Sequence, residues 1–420
     1  MSSLFSSGVM SGSVTSETSS SPALSVSLQQ AQKIIQKHVG LSEGSNDGLR
    51  ITKLEEIKDY GYSVAGGSKI YIVDLHGGDA DAHGKATTAS CFLTISAPSS
   101  ERNTLPLITH LLSLIRSNTQ IPISDPILDT TRDLIPFDFL LSPPTPFPSS
   151  SIITLHDAKA QGLLNEQLQA MIDLQMGSFL AQMHQNVQND WFGLPVLPPR
   201  GTVPTPGAPQ RPPAEAEPEC YSWQETFTTL FESLLSSVKT KLSSQHPDAD
   251  PDNQDDALGI PFTAIHSAMS RAIAFFLFDD VEVPSLVWFT GFDTDIYLSL
   301  PTHGSTKTPG IVAILPSMPH MLWGDPLLES FFIPLAEPGG VEKSKALIEG
   351  YTGAGGAPLI SFARQKTKRV WYTLYLALSV LNEYLSLSTG SSSQALEEKR
   401  KWAFDTIRTC ADVLKTAPCY

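Results

Sequence analysis

The hydrophobic pattern of this chain changes period near residue 142, and that change limits the folds open to it. Before it, short apolar runs carry the spacing of strands: Ile51 to Leu54, Ile70-Tyr71-Ile72-Val73 and Cys91-Phe92-Leu93-Thr94-Ile95, with strand-like sequence ending at Leu140-Leu141. A short amphipathic helix over Ser25 to His38 leads in. One further helix interrupts, from about Leu105 to Ser117, with Leu107, Leu111, Leu114 and Ile115 apolar. After a Pro-rich stretch at 143–148 the period becomes helical. Leu164, Leu168, Met171, Ile172, Phe179 and Met183 fall on one face at 100° per residue. Ser222-x-x-Glu225 has the form of a capping box, opening a helix striped by Trp223, Phe227, Leu230, Phe231 and Leu234. Further helices are expected over Phe262–Phe278, Val370–Leu385 and Leu396–Leu414. Strand-like Ser285–Phe289 and Ile311–Leu315 read as a hairpin-like pair inside this helical part.

A strand-rich part followed by a helical part is an α+β arrangement. A chain of 420 residues is long enough for one large two-lobed core. The expected organisation is a Ser-rich disordered leader over 1–24, a β-rich lobe over 25–142, a helical lobe over 143–390 with loops at 194–218 and 245–260, and a C-terminal helix within 391–420.

Charge and cysteine content exclude several function classes. The net charge is −15, and the densest charged run, Glu397-Glu398-Lys399-Arg400-Lys401, is diluted by two acids. Nucleic acid and anionic membrane surfaces are therefore not expected partners. The four cysteines, Cys91, Cys220, Cys410 and Cys419, form no Cys-x-x-Cys pair, so neither a zinc site nor a disulfide framework is indicated. The N-terminus has no signal-like segment, and no apolar run approaches the roughly 20 residues of a bilayer span. The chain reads as cytoplasmic.

Several motif-like segments fail on inspection. Gly78 to Ala86 imitates a phosphate loop, but its spacing is one residue too long and Ala86 replaces the Ser or Thr that would hold magnesium. Asp248, Asp250, Asp252, Asp255 and Asp256 suggest a calcium loop, but Pro251 interrupts it and Gly259 stands where the bidentate Glu belongs. The ten His are dispersed, and no Gly-x-Ser-x-Gly elbow exists. Gly353-Ala354-Gly355-Gly356 reads as a flexible connection.

Taken together, a series of segments resembles the aminoglycoside phosphotransferase family, in particular its divergent fungal branch. They are "LLSLIRSNTQIP" (Leu111–Pro122), "MGSFLAQMH" (Met176–His184), Trp191-Phe192-Gly193, Trp223-x-x-x-Phe227, "LWGDPL" (Leu322–Leu327), Gly350-Tyr351 and Tyr372–Leu376. Their shared order covers roughly residues 27–386. The resemblance implies a protein-kinase-like fold, with a β-rich N-lobe, a helical C-lobe, and a cleft where ATP would meet a small hydroxylated substrate.

Phosphoryl transfer relies on fixed charge and metal ions set against the phosphates. Carried onto this chain, the family pattern lacks these. Thr94 stands where the phosphate-pairing Lys belongs, and about Ile108 where its Glu partner belongs. Trp288, Thr290 and Asp295 replace the His, the base Asp and the magnesium-binding Asn of the catalytic loop. Ser317 stands at the second metal position. Gly67 and Ser68 join Thr94 as the cleft positions that would face a nucleotide.

The expected function is thus a catalytically degenerate phosphotransferase-like protein, a pseudokinase, that binds a protein or small-molecule partner and needs no cofactor. The alternative is an active ATP-dependent small-molecule phosphotransferase using ATP and Mg. In it, Asp293 or Asp295 would act as base or metal ligand, and Lys69 or Lys85 would reach the phosphates. Trp288, Phe289 and Phe292 are expected to pack locally, and Asp325-Pro326 to cap a helix with proline at its first position.

Overall fold

A computed structural model of the chain describes residues 24–39, 50–58, 61–63, 67–80, 86–97, 105–143, 152–197, 218–245, 255, 258–300, 310–315, 320–333, 344–358, 363–387 and 394–419. It is an α+β structure, with an antiparallel sheet in the first part and helices dominating the second. That order is consistent with the kinase-like arrangement the sequence resemblance implies. The leader at 1–24, apart from Leu24, lies outside the described residues.

Five strands form the first sheet: β1 (Arg50–Ile57), β2 (Ser68–Ala80), β3 (Ala86–Ser96), β4 (Ile127–Asp129) and β5 (Asp138–Ser142). Their order is β1-β2-β3-β5-β4, and every neighbouring pair is antiparallel. Alternation along the strands gives the sheet two different faces. Cys91, Leu93 and Ile95 share one face with Tyr71, Val73, Leu75, Phe139 and Leu141, and α1 (Leu28–His38) covers it with Ala31, Ile34 and Ile35. The other face of β3 carries Phe92, Thr94 and Ser96 toward the rest of the molecule.

Helix α1 is fixed at both ends. Ser27 and Gln30 form a reciprocal capping box. At the far end Lys37 and His38 lie 3.3 and 3.2 Å from the buried carboxylate of Asp129 on β4. Burial alone would push the Asp129 carboxyl up. The hydroxyl and N–H of Thr131 and the Lys37 ammonium outweigh it and bring the group down to about 2.

Helix α2 (Leu105–Asn118) joins the two parts. Leu111, Leu112 and Ile115 bury themselves with Met176, Leu180 and Met183 of α4 (Glu166–Asn186), next to Leu286, Trp288 and Met321. The stripe expected on α4 is only partly inward: Ile172, Phe179 and Met183 are buried, whereas Met171 is 42% exposed. Helix α4 crosses α7 (Lys345–Gly353) at a contact only glycine permits. A Cβ on Gly177 would lie 2.0 Å from the Leu347 carbonyl oxygen, and one on Gly350 2.0 Å from that of Leu174. Two of the segments that carry the family resemblance therefore meet backbone to backbone.

The largest core is helical. It unites α5 (Trp223–Gln245), α6 (Phe262–Ala274), α8 (Ala363–Tyr384) and α9 (Gln394–Thr416) through Phe227, Phe231, Phe262, Trp371, Tyr372, Leu376, Ile407 and Leu414. Every residue of α8 from Thr367 to Leu381 is buried, which makes it the central helix. The capping expected at α5 is seen in the Glu225 N–H, which donates to Ser222 Oγ at 3.3 Å.

The hairpin-like pairing expected inside the helical part is corrected. Strand β7 (Ser285–Trp288) pairs with β10 (Met321–Gly324), while β9 (Gly310–Ile314) pairs with β8 (Ile296–Ser299), which also pairs with β6 (Ile152–Thr154). Of the acidic run, Asp255 accepts from the Thr263 N–H at 2.9 Å and so caps α6; Asp248, Asp250, Asp252 and Asp256 lie outside the described residues. Ala80 and Ala86 of the phosphate-loop imitation belong to the paired ends of β2 and β3, a strand-to-strand connection rather than strand-to-helix. Among the described residues no helix is long and apolar enough to cross a membrane.

The depressed Asp129 carboxyl has a definite pH signature. A carboxylate lowered in the folded state contributes stability above about pH 4 that is lost as pH falls through about 2. Urea denaturation of Asp129→Asn should show a loss of about 1 kcal/mol at pH 6, a figure discounted for solvent screening at the half-exposed Lys37. The gap to the wild-type chain should close between pH 4 and pH 2.

Candidate functional site

The site is built on the segment that follows β7. All four β7 residues are buried, and Trp288 pairs with Met321 of β10. The chain then runs through Phe289–Phe292 into a single 3-10 turn, Asp293–Asp295, and on into β8. It is held from beneath. Glu329, with no exposed surface, accepts from the Trp288 N–H at 3.1 Å, and the Ser330 hydroxyl donates to the Gly291 carbonyl at 2.8 Å. His184 joins its Nε2 to Glu329 at 3.3 Å and its Nδ1 to the Tyr351 hydroxyl at 3.0 Å. Burial pushes the Glu329 carboxyl up, opposed by His184 and by the N–H groups of Trp288 and Ser330.

The residues at the expected catalytic positions lie as follows. Thr290 is 1% exposed; its hydroxyl has no hydrogen-bond partner among the described residues, and its carbonyl accepts from the Tyr62 N–H at 3.1 Å. Asp293 forms an ion pair with Lys159 of α3 (Leu155–Ala160) at 2.6 Å, at the surface. Asp295 is 3% exposed, and its Oδ2 accepts from the Phe292 N–H at 2.9 Å. Among the described residues no three His, Cys, Asp or Glu are grouped so as to hold a metal ion. Trp288 and Phe289 pack as expected, edge-on to Phe331 and against His320 and Tyr375.

On the opposite wall, Thr94 is half-buried on β3, in register with Ile70 of β2 and Leu140 of β5. Ser68 pairs with Ser96, whose hydroxyl donates to the Gly67 carbonyl at 3.2 Å, so Gly67, Ser68 and Thr94 lie close together along one strand pair. Two residues before Thr94, Phe92 meets Tyr297 of β8 edge-to-face at 5.0 Å, joining the two walls by an aromatic contact. Lys69 belongs to the opposite face of the sheet, the one that α1 covers, and is bonded there to Glu56 at 2.9 Å. Ile108 packs partly buried against the α2–α4 core. Lys85 and Ser317 lie outside the described residues.

The walls also touch at Gly61–Ser63, between β1 and β2. Gly61, at φ +55°, donates its N–H to the Thr294 hydroxyl at 2.9 Å, and Tyr62 donates to Thr290 as described. A Cβ on Gly61 would lie 2.3 Å from Asp295 Oδ2 and 2.7 Å from the Thr290 carbonyl oxygen. Tyr62 is buried, edge-on to Phe292 at 5.4 Å. Burial and nearby Asp293 both push its phenol up. Two net hydrogen bonds of about 1 kcal/mol each do not offset the ordering of three residues at about 1–2 kcal/mol apiece, so Tyr62 burial is needed to keep the turn down.

The retained Asp325-Pro326 has the role expected from sequence. Asp325 caps the turn Pro326–Leu328 by accepting from the Leu327 N–H at 2.9 Å, with Pro326 at its first position. It does more: its other oxygen takes the Tyr372 hydroxyl at 2.7 Å and the buried Lys368 ammonium at 2.6 Å, and the Trp223 indole N–H donates to Tyr372 at 2.9 Å. Trp223, Asp325 and Tyr372, all drawn from segments that carry the resemblance, thus share one buried polar network.

Sequence reasoning missed Glu329, His184 and the Tyr62 contact. His184 closes the "MGSFLAQMH" segment and Glu329 follows Asp325 by four residues, but nothing local pairs the two.

No protein-family model and no curated protein matches the chain. Among solved structures, that of a microcompartment-associated aminopropanol kinase aligns over 93% of this chain and 100% of its own length, at 12% identity and a TM-score of 0.40. A likeness of that size carries no argument about this chain, whose architecture rests on its own elements.

Two substitutions test the geometry. Gly61→Ala forces a Cβ into the left-handed region against fixed backbone, and chemical denaturation should show a loss of about 2 kcal/mol. Asp325→Ala strips a buried ammonium of one partner while Asp280 still lies 2.8 Å away. The same measurement should show a loss of about 2–3 kcal/mol, below the full range for an uncompensated buried charge.

Proposed function

We propose that this chain is a phosphotransferase-like scaffold that does not transfer phosphate, and that it acts by binding a protein or small-molecule partner. The observation that carries this reading is the seating of the Gly61–Ser63 turn on the Thr290–Asp295 loop, which under the family resemblance is where a nucleotide's phosphates would lie. Three further features support it. Thr94 and Thr290 offer hydroxyls where phosphoryl transfer calls for a cation and a base. Asp293 is committed to Lys159, and Asp295 to the Phe292 N–H. Phe92 and Tyr297 fill the space beside Thr94 with aromatic rings.

On this reading the side chains present do not fit a magnesium–nucleotide complex, and no step of a reaction is derived through one. The alternative, an active kinase with relocated groups, needs a lysine at the phosphates. Lys69 is held on the far face of the sheet by Glu56.

Thermal melting with ATP and magnesium tests the reading, because a ligand of the native state raises the melting temperature. At 5 mM nucleotide no shift is expected, and labelled ATP should give no acid-stable product with a panel of small hydroxylated acceptors. A clear rise that Asp295→Asn abolishes would instead favour the active kinase.

A further inference from the structure

The charged run Glu397–Lys401, which the proposed function leaves unused, lies at the start of α9, and that helix has two unlike halves. From Ala403 onward it is a core helix, with Ala403, Ile407, Cys410, Ala411 and Leu414 buried against the helical core. None of the residues from Gln394 to Trp402 is fully buried. This first half is held by Glu397, which bonds the Tyr384 hydroxyl and the Arg400 guanidinium, and by the Arg400 guanidinium stacked over the Tyr384 and Phe404 rings.

This half reaches across to the glycine-bearing turn. Lys399 donates its ammonium to the Ser63 carbonyl at 3.2 Å, and the Trp402 ring lies on Tyr62 with centroids 5.0 Å apart and planes tilted by 35°. Tyr62 is thus enclosed by Phe292 of the loop on one side and Trp402 of the helix on the other. The turn's two hydrogen bonds to the loop are too weak to order it alone, so the packing of Tyr62, to which α9 contributes Trp402, is needed to hold it.

We propose that the first half of α9 is a strap that latches the Gly61–Ser63 turn onto the Thr290–Asp295 loop, so that the cleft opens only when Lys399 and Trp402 let go. The inference rests on the reading of the site as a closed cleft and names the device that closes it.

Amide hydrogen exchange on the full chain without nucleotide tests the strap separately from nucleotide binding. In Trp402→Ala, exchange at Gly61 and Tyr62 should rise by about tenfold or more, while the amides of α8 keep their protection. Unchanged exchange at the turn, with α8 still protected, overturns the proposal. Should Trp402→Ala loosen α8 as well, Lys399→Ala decides, since it removes a contact to the turn from a partly exposed side chain. Exchange at the turn about threefold faster or more supports the strap, and no change overturns it. A nucleotide-induced melting shift in the wild-type chain would sink the proposed function yet leave this result standing.

Discussion

Two backbone N–H groups, on Gly61 and Tyr62, determine what the space between the two parts of this molecule can hold. They are donors of the kind that a nucleotide-binding turn would aim at phosphate oxygens, and here they are satisfied by a hydroxyl and a carbonyl of the chain itself. Once those bonds form, the neighbouring choices are consistent with them. The Asp295 carboxylate turns back onto the Phe292 N–H, Phe292 packs on Tyr62, and Phe92 closes on Tyr297. Together these contacts pack the two parts of the molecule against each other at the turn.

Beneath this surface, several residues of the segments that resemble a phosphotransferase take part in buried polar networks. Asp325, Lys368, Tyr372 and Trp223 satisfy one another in the helical core, and His184, Glu329 and Tyr351 do the same under the Trp288 strand. Buried polar networks of this sort are costly when incomplete and specify one packing when satisfied. The satisfaction is not complete: Glu329 Oε1 is among the buried polar atoms without a hydrogen-bond partner among the described residues.

Much of the architecture was legible because it is local. The switch of hydrophobic period, the span of α2, the Ser222 cap and the Asp325-Pro326 turn are all written within a few residues of where they act. The faces of α4 were read less well, since Met171 lies near the inward stripe yet points to solvent. The small sheets were misassigned because four-residue strands such as β7 and β10 carry no mark of their partner. The seating of Gly61 was illegible for the same reason in stronger form: its hydrogen-bond partner stands 233 residues away. Side chains that meet only through the fold leave no periodic trace.

The Lys399–Ser63 contact spans 336 positions of the chain. During synthesis the first sheet emerges long before α9 exists, and contacts of such separation form late. A nascent chain halted before residue 399 would therefore present its β1–β2 turn without the final clasp. A helix made late thus completes a turn made early, and the seating of that turn depends on residues far beyond its own part of the chain.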